Sequence, residues 1–233
     1  MRASGSGAFR WIGGVALVAL IAACGGSDPS DGTTTSSSRR TTTSSSSTTT
    51  VPVDTSAAVF PVGASTYTAP EDVARAFAAD YVGFTDPIVG TMAAGDARSG
   101  EVPVRTTDRG PVTTVLVRQL DGVHWWVLGA SSPNLILESP AANEAITSPV
   151  TLRGRSTAFE AQIRTEVRQD GTAPPLGEGT AMGGSMGEMG PFSDVLSFTR
   201  ATALRGAIML STRSMMDGSI AEATVVRIAF GVE

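Results

Sequence analysis

The chain of 233 residues has no lysine, a single cysteine, a single histidine and only 6% aromatic residues. Each shortage excludes something. One cysteine cannot close a disulfide within the chain, so any exported domain must be held by packed cores. A nucleophile–base dyad or a zinc site usually needs at least one histidine with organised partners, and His124 stands alone beside Trp125-Trp126. It reads as a structural strand residue. All 17 basic residues are arginine, set against 22 acidic ones, for a formal net charge of −5. A mildly acidic chain has no basic footprint for nucleic acid or for anionic lipid headgroups. The apolar run Trp11–Ala23 spans 13 residues, short of the roughly 20 needed to cross a bilayer as a helix. No alternation of strand and helix is present, which argues against the solute-binding subunit of a transporter.

What is present begins with that apolar run. Arg2 and Arg10 precede it, and it closes on Ile21-Ala22-Ala23 before Cys24. A charged start, an apolar middle and small residues at the end form a secretory signal. Ile21-Ala-Ala-Cys24 resembles the lipobox of bacterial lipoproteins. The resemblance implies that residues 1–23 are a lipoprotein signal peptide and that Cys24 is acylated, with palmitate among its chains. It also implies lipid anchoring at the extracytoplasmic face of the cell membrane. Cleavage after Ala23 removes two arginines and no acid, which takes the charge from −5 to −7.

Residues 24–57 are expected to be an acylated cysteine and a disordered tether. From Thr33 to Thr50 the sequence is Ser and Thr, broken only by Arg39-Arg40, and it buries too little to offset its ordering entropy. A flexible coil of this length has ends about 30 Å apart on average. Its composition suits surface O-glycosylation and equally a bare spacer.

The fold class expected for the rest is α+β: a small helix-plus-antiparallel-sheet domain over residues 58–137, then an all-β immunoglobulin-like sandwich over 138–233. In the first, Thr68-Ala-Pro-Glu71 has the form of a capping box, and Val73, Phe77, Tyr81 and Phe84 draw one apolar helical stripe ended by Gly83. Pro103 assigns the strand 101–105 to an edge. Asp121-Gly122 predicts a tight hairpin with both residues at positive φ, and Asn134–Leu137 is a candidate fourth strand. Alternation puts Trp125 in the core and His124 with Trp126 on the opposite face. There Trp126 is capped by the helix or open to a sugar or peptide. In the second domain, Phe159, Ala161, Ile163, Thr165 and Val167 alternate with charged and polar residues, which predicts one buried and one wet face. Six or seven short strands suit two packed sheets.

Ile146-Thr-Ser-Pro-Val150, Arg153-Gly154, Ala158–Ala161, the Gly-rich run to Phe192, and Ser214 with Asp217-Gly-Ser219 resemble the immunoglobulin-like domain of bacterial spore-germination proteins. That resemblance implies a non-catalytic sandwich of extracytoplasmic proteins and brings no catalytic residues. The first domain, with Tyr81–Pro87 and Trp125-Trp126, resembles the partner module of some actinobacterial lipoproteins.

Two groups remain as chemical candidates. Asp96 and Glu101 flank a polar loop with Arg98, and a carboxylate pair could hydrolyse a wall glycan. Met182, Met186 and Met189 form a methionine-rich loop, with Met215-Met216 downstream, and thioethers select Cu(I). The reading favoured over both is a non-catalytic binding or scaffolding module of the cell envelope. It requires no cofactor and no resident metal. Its partners are the membrane through the lipid anchor, together with an envelope protein or the cell wall.

Overall fold

The computed structural model describes residues 52–231, which belong to one compact unit. It is mostly antiparallel sheet with one short helix. Helix α1 (Pro70–Ala76) runs on as a π-helical turn over Phe77–Val82. The strands β1 (Ile88–Val89), β2 (Ala93–Asp96), β3 (Ser99–Arg105), β4 (Thr113–Gln119) and β5 (Trp125–Ser131) follow. The second half contributes β6 (Leu135–Ser139), β7 (Ala145–Ile146), β8 (Val150–Ala158) and β9 (Gln162–Gln169). Then come β10 (Gly177–Met182), β11 (Gly184–Ser185), β12 (Gly190–Leu196), β13 (Arg205–Arg213) and β14 (Ile220–Phe230).

The helical stripe packs as its spacing requires. Val73 and Phe77 are fully buried, and Phe77 stacks on Tyr81 with ring centroids 5.2 Å apart. The start of the helix differs from the capping box. Ala69 is the N-cap and no side chain caps it. Glu71 turns outward instead and accepts the Met92 amide at 3.0 Å, fastening the helix to the approach to β2. Pro70 has no amide to donate, so the first turn tolerates the missing cap.

Pro103 is not on an edge. β3 pairs with β4 on one side, and with both β1 and β2 on the other. Pro103 falls in the gap between those two short strands, where β1 has ended and β2 has not begun, so its missing N–H interrupts no ladder. Its carbonyl still accepts the Gly90 amide at 2.8 Å. The β4–β5 hairpin forms, but with a five-residue loop, since Gln119 pairs with Trp125. Gly122 adopts φ 81°, whereas Asp121 is not among the positive-φ residues. Asp121 uses its side chain to build the turn, accepting the Val123 amide at 2.8 Å and the His124 amide at 2.6 Å. Gly122→Val is therefore still expected to destabilise the hairpin, because a β-branched residue resists positive φ. Calorimetry of the full chain should show a lowered transition.

Asn134–Leu137 joins the other layer. β6 pairs with β8, and the second sheet runs β6–β8–β12, with β11 added at the end of β8. The first sheet is continuous across both halves of the sequence, in the order β1–β3–β4–β5–β14–β13–β9–β10. The change of core falls between Ala130 and Leu135, ahead of the expected boundary at 137/138, and the first sheet crosses it. β13 shows how one strand serves both cores. Ala207 and Met209 face the core beneath the helix, and Ile208 and Leu210 face the sandwich core. Burial on both faces explains the unbroken apolar run Ala207-Ile-Met-Leu210.

The halves meet where Ala130 pairs with Val225. Close approach there depends on Gly129, since a Cβ at that position would lie 2.6 Å from the Val225 carbonyl oxygen. Polar side chains line the seam. Thr224 Oγ1 accepts the Ser132 amide at 3.0 Å and donates to the Leu135 carbonyl at 2.6 Å. The buried Glu222 carboxylate accepts from Ser132 Oγ, from Asn134 Nδ2 at 3.1 Å and from Thr212 Oγ1 at 3.3 Å.

Two arginines from the sandwich clamp the first half. Arg168 lies 5.0 Å over the Tyr81 ring, donates to the Tyr81 carbonyl and pairs with Glu166. Burial pushes the Tyr81 hydroxyl up to about 12 despite the nearby Arg168 charge. Arg227, 5% exposed, forms a bidentate pair with Asp170 at 2.5 and 2.7 Å. Its remaining donors hold the Ser56 carbonyl at 2.8 and 3.0 Å. The chain then continues into an extended rung beside β5, where Val127 donates to the Phe60 carbonyl at 2.7 Å and accepts the Val59 amide at 2.8 Å.

Candidate functional site at one end of the sandwich

Three loops carry exposed apolar side chains at one end of the second half: the turn after β8, the turn between β11 and β12, and the β13–β14 connection. Phe159 was expected in the core, since it continues the alternation of Ile163, Thr165 and Val167. The structure places it 51% exposed, in a 3-10 turn over Phe159–Ala161. The alternation breaks because Glu160 and Ala161 take positive φ, 54° and 60°. Left-handed backbone costs a non-glycine residue about 1 kcal/mol or more, and such strain concentrates where a loop has been shaped for use. Phe159→Ala is accordingly expected to cost under about 1 kcal/mol in a denaturation experiment, as a surface substitution does.

Around Phe159 the other loops gather. Met186, 94% exposed, lines with Phe159 a cavity of about 380 Å³ that also reaches Asn134, Arg213 and Glu222. Met215 lines with Phe159 a second cavity of about 440 Å³, together with Glu160, Gln162, Arg164, Thr180, Ser211 and Arg213. Met182, Met215 and Met216 are exposed too. Phe159 is a ridge between two cavities, fringed by methionine.

The 440 Å³ cavity sits on one face of the first sheet. Arg164 is the cross-strand neighbour of Thr180 on β10 and of Ser211 on β13. These residues share the face of Met209, which the helix module covers further along. The expected wet face holds at Glu160 and Gln162, which are exposed, but closes further along β9, where Glu166 is almost fully buried. Arg164 is held by Glu166 at 2.8 Å and by Glu178 at 2.8 Å. Its Nε–H points out of line for a hydrogen bond, and the buried Ser211 hydroxyl also lacks a hydrogen-bond partner. Arg213 donates to the Gly218 carbonyl at 2.6 Å and pairs with no carboxylate among the described residues.

The other sequence candidates lie elsewhere. Asp96 and Glu101 are exposed on the β2–β3 hairpin and line neither cavity. Hydrogen bonds from the Arg98 amide and from Ser99 hold the Asp96 carboxyl below its usual range, opposite to what a proton donor to a leaving group needs. Met182 ends β10, Met186 lies in the turn after β11, and Met189 immediately precedes β12. Among the described residues no group of three or more His, Cys, Asp or Glu is placed to hold a metal. His124 Nδ1 meets Asp121 Oδ2 at 2.5 Å, and its ring lies edge-on to Trp126 at 6.1 Å, while Trp125 packs in the core. Cys24 lies outside the described residues, and no described helix is long and apolar enough to cross a membrane.

Asp121 carries a pH dependence. Its partial burial pushes the carboxyl up, but hydrogen bonds from the His124 side chain and from the His124 and Val123 amides outweigh this and bring it down to about 2. A carboxyl lowered on folding contributes stability that is present above its unfolded value near 3.8 and is lost as pH falls toward 2. Asp121→Asn should flatten the acid limb of a melting-temperature profile over that window.

The two sheets that pack around the core of Leu152, Ile163, Phe192 and Ile208 make the second half a β-sandwich. Residues 134–219 match the family model described as the immunoglobulin-like domain of bacterial spore germination, so this part of the chain carries that domain. The match begins at the residue before β6 and stops at the residue before β14. Neither the curated proteins nor the solved structures contain a match to the chain. The domain type is generally non-catalytic.

Proposed function

We propose that this protein is a lipid-anchored lipoprotein on the extracytoplasmic face of the membrane, acting there as a non-catalytic binding or scaffolding module of the cell envelope. The observation that carries the reading is the ridge of Phe159 with Met186, Met215 and Met216, three loops of one sandwich end all presenting apolar side chains to water. Clustered exposed apolar groups mark interaction surfaces, and methionine adapts its shape to a partner. The Ile21-Ala-Ala-Cys24 motif supports the anchor, and the Ser/Thr-rich stretch supports a tether that raises local concentration at the envelope.

Fractionation and wall digestion test the two parts together. Wild-type protein should sediment with membranes, and Cys24→Ala should move it to the soluble fraction. The purified chain should release no fragments from peptidoglycan. Release of fragments that disappears on replacing Asp96 and Glu101 by alanine would replace this reading with a wall hydrolase.

A further inference from the structure

We infer that the 440 Å³ cavity beside Phe159 is a binding site for a neutral saccharide, a short stretch of glycan seated against the ring. Its volume lies within the roughly 300–1,000 Å³ range of small-ligand pockets. Three features point to a ligand. Ser211 is 1% exposed, lines the cavity and has no hydrogen-bond partner, and a buried hydroxyl left unpaired costs free energy until something pairs with it. Phe159, half exposed, offers a flat apolar wall. Glu160 and Ala161 hold left-handed backbone at the same rim.

The charge balance selects the ligand class. Arg164 is already paired with Glu166 and Glu178, and the free arginine Arg213 shares the cavity with Glu160. The site therefore carries no net positive charge with which to draw a phosphate or a carboxylate. It offers donors in Arg213, acceptors in Glu160, and groups that do both in Ser211, Thr180 and Gln162. A sugar matches this, because each hydroxyl both donates and accepts while the C–H face of the ring is apolar enough to lie on Phe159. The ridge also gives a longer glycan a path from this cavity to the 380 Å³ cavity on the other side. This inference rests on the binding-module reading and names a ligand class for it.

Titration calorimetry of the full-length chain in detergent tests it, with chitotetraose, cellotetraose and inorganic phosphate as probes. At least one oligosaccharide should bind saturably and phosphate should not. Phe159→Ala should weaken binding at least tenfold. Ser211→Ala should weaken it about fivefold while leaving the melting temperature unchanged or raised, which separates a lost contact from a lost fold. No saturable binding to either oligosaccharide, preferential binding of phosphate, or full affinity in Phe159→Ala would each overturn the inference. If sugars fail while the loop end still traps a partner in cells, the saccharide is wrong and the binding module stands.

Discussion

Arg227→Ala should lower the stability of the compact unit by about 3 kcal/mol, the low end for one partner of a buried ion pair, because Asp170 keeps 36% of its side chain exposed to water. Arg227 is almost fully enclosed, and its guanidinium satisfies both oxygens of Asp170 and the Ser56 carbonyl. Without it, a carboxylate on the sandwich and a carbonyl at the entry of the chain lose their donors together. For a unit of this size, about 3 kcal/mol corresponds to about 6–12 °C in melting temperature. Hydrogen exchange adds a local signature. The Val59 amide, bonded to the Val127 carbonyl in the rung just after Ser56, should lose protection more than amides of β8. A matched control is Arg118→Ala, whose pair with Asp96 spans 3.8 Å with both side chains about half exposed, and which should cost under about 1 kcal/mol. Equal small effects at both arginines would remove the clamp from the account.

Phe77→Ala should cost at least as much, roughly 3–5 kcal/mol, for a different reason. Phe77 is fully buried at the turn where α1 becomes π-helical, stacked on Tyr81 and edge-on to Phe60 at 6.0 Å. Truncation leaves a cavity walled by these rings and by the sheet. Arg168 rests on Tyr81, so the loss should spread into the sandwich half. Chemical denaturation should show a lowered midpoint with one cooperative transition, because β13 and β14 contribute side chains to both cores. Two separate transitions would mean that the halves unfold independently in spite of their shared sheet.

These effects trace what a sequence can and cannot disclose. The helical stripe, the β4–β5 hairpin and most strands of the sandwich are legible because their periodicity reflects burial against a single neighbour. Phe159 misleads because period-two patterning cannot register a strand that ends: Ala158 closes β8, and two left-handed residues re-aim the ring toward water. Arg168 reads as part of a solvated face, and only the docking of the distant helical turn that carries Tyr81 covers it. The same holds for Arg227 and Ser56, 171 positions apart. Pro103 misleads in another way, since a gap between two short neighbours accommodates it as well as an open edge would. The methionines of the loop end are visible in the sequence, but their gathering around Phe159 depends on three connections that only the fold brings together. Ser211 gave no signal at all, because an unpaired hydroxyl is a property of its surroundings.

The most direct test of the binding reading is site-specific photo-crosslinking in intact cells, with the probe placed in turn at Met186, Met216 and Val195. All three side chains are well exposed, but Val195 lies on β12, away from the loop end. The account predicts one discrete adduct, the same from positions 186 and 216 and absent from 195. Adducts equally abundant at all three positions, or none at 186 and 216, would contradict it.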